Sequence, residues 1–293
     1  MVARALLPRP IIPDTPFLEC PMDGRFDHLG LLVRELNDGS RVVVSRYGGQ
    51  VLSWFAAGQE RLYLSGTAIA DGRQPIRGGV PVCFPQFSGR GALPKHGVAR
   101  THRWSELPPA SPGAIRLRLV EDAQTLRLWP HRFTLDLHVD LQPDALAMRL
   151  DVSNTGAQAW SFTGALHTYL RVGDVGATRL LGLQGLRMED ALRGGFATAA
   201  GESPDLSRPI DAVYGAIAAP LELRAPNQSL RIEQGGFSDA VVWNPGEEAA
   251  AHMADIGPGE ARHFLCVEAA QVQTPVLLEP GQSWSGFQVL RIV

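Results

Sequence analysis

Apolar and polar positions alternate with a period of two over long stretches of this chain. Phe133, Leu135, Leu137, Val139 and Leu141 fall on one side, and Thr134, Asp136, His138 and Asp140 on the other. That is the pattern of a strand buried on one face. The turn Gln142-Pro143-Asp144 follows, and Leu146, Met148, Leu150 and Val152 then alternate up to Asn154-Thr155-Gly156. Two such runs joined by turn residues predict an antiparallel hairpin. The same grammar predicts a strand over 115–120 and a second hairpin from Leu221 and Leu223 through Pro226-Asn227 to Leu230 and Ile232. A closing strand is expected through Trp284, Phe287, Val289 and Ile292. A short helix is expected over 247–253, where Ala249, Ala250 and Ala251 favour one.

Composition sharpens this picture. With 31 glycines and 22 prolines punctuating 293 residues, many short strands are favoured over helices. The expected fold is all-β, a large antiparallel β-sandwich. Sandwiches of this length run as one unit, so residues 1–293 are read as a single domain. Residues 1–20 are read as an extended N-terminal segment, since Pro8, Pro10, Pro13 and Pro16 break the apolar patch that follows Arg4. That patch makes a poor signal peptide, and no apolar run is long enough to span a bilayer. The formal charge of −3 leaves no basic excess for a nucleic-acid backbone, so any anion site must be local. Three well-separated cysteines, Cys20, Cys83 and Cys266, argue against a disulfide framework and for a reducing, cytoplasmic setting.

Three segments carry candidate chemistry. The first reads Arg77-Gly78-Gly79-Val80-Pro81-Val82-Cys83-Phe84-Pro85-Gln86-Phe87 and resumes as Pro94-Lys95-His96-Gly97-Val98-Ala99-Arg100. Glycines let backbone approach a ligand, prolines stiffen the flanks, and guanidinium groups match phosphate or carboxylate oxygens. Solvated or surface-paired arginines are the ordinary alternative. The second runs from Trp160 to Arg171. Read as one strand, it puts His167 on a face with Thr163, Ala165, Tyr169 and Arg171. A histidine there is either a proton donor near neutral pH or an ordinary half-buried one. In the third, Asp239 opens an apolar run and Glu268 closes another. A carboxylate at such a strand end is either a desolvated general base or a plain solvated group. No nucleophile elbow, phosphate loop, dinucleotide fingerprint or zinc-ligand spacing is present in the sequence. No metal site is therefore expected.

Taken together and in order, these segments resemble the aldose 1-epimerase superfamily, in its hexose-6-phosphate mutarotase branch. The resemblance runs over about 42–293. It is carried by Arg77-Gly78-Gly79-Val80-Pro81, His96-Gly97-Val98-Ala99-Arg100, Ala165-Leu166-His167-Thr168-Tyr169, Val242-Trp243-Asn244-Pro245 and Cys266-Val267-Glu268. It implies a sandwich of the galactose-mutarotase type, no cofactor, and anomer interconversion of a hexose 6-phosphate by a monomer that binds neither nucleic acid nor membrane. It further implies His167 and Glu268 as the catalytic pair, His96 and Asp239 on the sugar, Arg77 and Arg100 on the phosphate, and Gln86 lining the site. Glu268 is expected as base on the C1 hydroxyl and His167 as the protonated acid on the ring oxygen, with Asp239 favouring that charge. Arg90 and Lys95, in the short loop between the two halves of the first segment, either join the phosphate site or stay solvated. Three other readings compete. A free-aldose epimerase lacks a use for the arginines, and a sugar-phosphate sensor lacks one for an acid and a base together. A glycoside hydrolase built on Asp239 and Glu268 leaves His167 idle.

Overall fold

The computed structural model describes residue 22 and residues 24–293. The N-terminal segment 1–20, with Cys20, lies outside the described residues. Among the described residues the chain forms three sheets, one of four strands and two of eight, in which every pairing of strands is antiparallel. The period-two runs are all strands. Phe133–Leu141 pairs with Ala145–Asn154 in the register Leu137 to Leu150, and Leu221–Ala225 pairs with Gln228–Gly235 with Leu223 opposite Leu230. The closing strand Ser283–Ile292 lies between these two hairpins, in one eight-stranded sheet. The expected helix is present as the short Gly246–Ala250. A second helix, Ala123–Leu128, was not expected. It is under two turns long and depends on Asp122, whose side chain accepts from the N–H groups of Gln124 and Thr125.

The two large sheets close on one hydrophobic core. Leu117, Leu135, Leu137, Met148 and Leu150 come from one side, and Ala212, Tyr214, Ala240, Val242, Val267 and Ala269 from the other. The middle of the second sheet is buried on both faces. Alternate residues of its strands Ile210–Tyr214, Asp239–Asn244 and Phe264–Leu278 point away from the main core, and they carry Asp211, Asp239, Val241, Trp243, Cys266 and Glu268. That outer face is covered by the 77–100 segment. Gly79 donates its N–H to Tyr63 O, Val80 to Val51 O, and Phe84 packs into the core beside Phe133 and Phe162. The two halves of the segment close on each other, with the N–H groups of Val98 and Ala99 both donating to Phe84 O.

Gly79 is where this segment comes nearest its neighbours, against the strand Gln50–Ala56 of the four-stranded sheet. Its φ is +59°, and a Cβ built there would stand 2.0 Å from the carbonyl oxygen of Val51. A left-handed alanine and a backbone clash combine against any side chain. Gly79→Ala is expected to lower stability by roughly 2–5 kcal/mol, read as a fall in the midpoint of urea unfolding with little change in slope.

Candidate active site

The outer face and its cover enclose a cavity of about 260 Å³. Glu268 stands in its floor. The expectation that Glu268 ends a strand is corrected. It lies inside the fifteen-residue strand Phe264–Leu278, opposite Val241, and is 1% exposed. His167 approaches from the other side, 7% exposed, with Nδ1 3.3 Å from Glu268 Oε1. The approach is too oblique for a hydrogen bond, and neither His167 Nδ1 nor Glu268 Oε2 has one among the described residues. Buried polar atoms are nearly always paired, so two unpaired ones in contacting side chains set this pair apart.

The expected single strand over 160–171 is broken at this histidine. Trp160–Leu166 and Tyr169–Arg171 are separate strands. Between them His167 donates its backbone N–H to Pro81 O, and Tyr169 donates to Gly79 O. The Arg77-Gly78-Gly79-Val80-Pro81 motif thus holds the backbone on both sides of the break. The imidazole stacks on Tyr169, with centroids 4.8 Å apart and planes 8° from parallel, and meets the rings of His96 and Trp243 edge-on.

Burial is the main influence on both members of the pair. It lowers the pKa of His167 well below 6.5, assisted by the neighbouring His96 ring and by the charges of Arg100 and Arg77. It raises that of Glu268 well above 4.5, assisted by Asp211 and opposed by Lys95. Both directions favour a neutral imidazole beside a protonated carboxyl, which share one transferable proton. The expectation that His167 stands protonated through Asp239 is therefore corrected twice, because Asp239 does not line this cavity either. Asp239 Oδ2 accepts from the N–H groups of Val272 and Gln273, where the long strand bulges out of register with Trp160–Leu166. Its other oxygen accepts from the Ser238 hydroxyl.

The remaining predicted residues divide. His96 lines the cavity, held in the left-handed region at φ +66°. Ser88 donates its N–H to His96 Nδ1, which leaves the ring proton on Nε2. Burial, then the charges of Arg100, Lys95 and Arg77, push its pKa down to about 3, so it stays a neutral donor. Arg100 lines the cavity and donates from Nη2 to Lys95 O, while its buried Nε has no partner among the described residues. Arg77 also lines it, but its fork grips both oxygens of Asp255, and Nη1 donates to the Tyr169 hydroxyl. Gln86 does not reach the cavity. Its amide donates to Ser88 O and Leu93 O and accepts from Leu93 N, which braces the 88–93 loop. Arg90 forms a bidentate pair with Glu189 outside the cavity, whereas Lys95 is among its lining residues.

Asp211, Tyr169 and Asp255 are among the lining residues that the site expected from sequence does not include. Asp211 sits opposite Trp243 on the cavity face, its pKa raised by burial. Its only signal is an acidic residue at an inward position of Ile210-Asp211-Ala212-Val213-Tyr214. Tyr169 stands in the Ala165–Tyr169 motif, where nothing local marks it as a site residue. Asp255 lies in a loop with no pattern to mark it.

The model of a family described as aldose 1-epimerase matches residues 33–291. A protein of Cenchrus ciliaris named "Putative glucose-6-phosphate 1-epimerase" is 37% identical over 257 residues, covering 82% of this chain and 78% of that one. A protein of Escherichia coli (strain K12) with the same name is 30% identical over 257 residues, covering 84% of each. Among solved structures, "a putative mutarotase (YeaD)" from Salmonella typhimurium superposes with a TM-score of 0.80 over 90% of this chain and 93% of that one, at 24% identity. Its likeness bears on the fold, which is that of the galactose mutarotase-like structures.

The raised pKa of Glu268 has a consequence for stability. Above pH 4.5 the unfolded chain releases this proton while the folded one keeps it, so folding loses stability as pH rises towards the folded value. Below 4.5 both states hold the proton and the difference vanishes. Glu268→Gln is expected to melt at a higher temperature than the parent at pH 7 and above, and at the same temperature near pH 4. Calorimetric scans across that range check the sign.

Proposed function

The chain belongs to the aldose 1-epimerase family, and on that premise we propose that it interconverts the α and β anomers of a hexose 6-phosphate, with glucose 6-phosphate as substrate. One observation carries the reading. A buried acid–base pair 3.3 Å apart shares a single cavity with the cationic side chains of Arg100, Lys95 and Arg77. The names of the Cenchrus ciliaris and Escherichia coli relatives support the choice of sugar.

The chemistry fits the spacing. The hydroxyl and the ring oxygen that must exchange protons are attached to the same carbon, so an acid and a base acting on them have to be neighbours. Glu268 takes the proton of the C1 hydroxyl while His167 gives one to the ring oxygen. The bond from C1 to the ring oxygen breaks, and an aldehyde and a C5 hydroxyl form. Rotation about C1–C2 and the reverse transfers then close the ring on the other face. The step is redox-neutral and returns both residues to their starting protonation. The acting forms, carboxylate and imidazolium, hold the same one proton as the neutral pair, moved across the contact. A phosphate dianion against Arg100, Lys95 and Arg77 offsets the positive charge that depresses His167, which favours that move. His96 Nε2–H is suited to donate to a sugar hydroxyl and Asp211 to accept from one. The two buried thiols, Cys83 and Cys266, are in no disulfide, which agrees with a reducing, cytoplasmic setting.

Glu268→Gln is expected to slow anomer exchange of glucose 6-phosphate by about 10²–10⁴-fold, measured by magnetisation-transfer NMR between the two C1 protons. A variant that exchanges at the parental rate rejects the assignment. Replacing Arg100 and Lys95 by alanine is expected to raise KM for glucose 6-phosphate by about 10–100-fold and to leave KM for free glucose within about twofold. An equal rise for both sugars points instead to a free-aldose epimerase.

A further inference from the structure

The cavity contains a chain of contacts that the proton transfers do not use. Asp255 binds the Nε and Nη2 sides of the Arg77 fork at 3.0 and 3.2 Å, and Arg77 Nη1 donates to the Tyr169 hydroxyl at 2.9 Å. The Tyr169 ring then lies flat on the imidazole of His167. Three of the five guanidinium N–H groups are thus directed at the protein. Behind this chain, Tyr169 packs on Phe264, which stacks on Tyr63 at 4.6 Å, while the Arg77 guanidinium sits 5.9 Å from the Trp243 ring.

An imidazole turns easily about its last torsion, whose preference is broad and two-fold. Nothing in the Nδ1 to Glu268 contact fixes it, since that contact is not a hydrogen bond. The hydrogen bond from His167 to Pro81 involves only backbone. His96 and Trp243 meet the ring edge-on, and among the described residues Tyr169 is the ring stacked parallel to it and is itself anchored at its hydroxyl by Arg77.

We propose that Tyr169 and Asp255 are positioning residues that act through the chain Asp255–Arg77–Tyr169 to hold the imidazole plane of His167 against Glu268. The proposal rests on the epimerase reading for its consequence in turnover, but the orientation of the ring is a property of the free protein. In this arrangement Arg77 serves the acid as well as the anion. Loss of the chain lowers kcat whatever the sugar carries at C6.

The test compares Tyr169→Phe, Tyr169→Leu and Asp255→Asn in the full chain. Tyr169→Phe keeps the stacked face and loses the anchor. Tyr169→Leu loses the face, and Asp255→Asn loosens the fork from a half-exposed position. With glucose 6-phosphate, Tyr169→Phe and Asp255→Asn are expected to lower kcat about tenfold and Tyr169→Leu about 10²-fold, with KM within about threefold in each. The same kcat ratios are expected with free glucose. Independently of turnover, the ring nitrogen resonances of His167 in 15N-labelled protein without substrate should shift and titrate differently in all three, with Tyr169→Phe nearest the parent. Unchanged His167 resonances with a KM defect confined to glucose 6-phosphate would overturn the proposal and make Arg77 and Asp255 parts of the phosphate handle alone. Failure of the parent protein to accelerate either anomerisation counts against the epimerase reading. The nitrogen resonances still decide the positioning role in that case.

Discussion

Everything around the cavity answers to one constraint, the burial of Glu268 in the middle of a sheet. A carboxyl that is 1% exposed cannot ionise without a partner, and breaking a buried pair is far more costly than losing an exposed one. The partner is His167, and it can stand there only because its strand stops. Two carbonyl groups of the 77–81 motif, on Gly79 and Pro81, satisfy the backbone N–H groups on either side of that break. The glycines of the motif are therefore structural before they are functional. They let the segment lie against the backbone of Val51 and Tyr63 while its carbonyl groups bond the chain that presents the histidine.

Arg77, Lys95 and Arg100 line the cavity together with Glu268, Asp211 and Asp255, and Arg77 is paired with Asp255. The chain as a whole carries a formal charge of −3, so these cations are a local feature. Such an arrangement attracts an anion without making the surface generally basic. Arg100 and Arg77 are also among the groups that, after burial, keep the imidazole neutral, so any anion held by them would act on His167 as well.

The sheets were legible in the sequence because burial on one face writes a period of two, and both expected hairpins have the expected partners. The site was legible as far as local motifs reach. His167, Glu268, His96, Arg77 and Arg100 all line the cavity. What failed depended on distant backbone. The alternation through 160–171 continues across the break, since nothing local records that Pro81 and Gly79 replace the sheet partners. Asp239 shares its strand face with Val241 and Trp243, as parity requires, but a bulge in the neighbouring strand claims its carboxylate. Gln86 sits in a motif and serves the loop that the motif opens. Asp211 and Asp255 become neighbours of the site only through sheet order and a loop crossing, which no spacing encodes.

Beneath the break lies a feature of a different kind. Thr168, wholly buried, donates its hydroxyl to Gln288 Oε1, and Gln288 Nε2 donates to Val267 O. Gln288 belongs to the opposite sheet. Hydrocarbon layers can slide over one another by small steps with little penalty, but a single amide that reads a hydroxyl and a carbonyl from the facing layer accepts one alignment only. One such index is the residue next to His167, and a second is the buried Asn154, whose amide donates to Leu278 O across the same two sheets. Any shear between the sheets must unlatch these amides, so the alignment of the interior and the placing of His167 share a common zero.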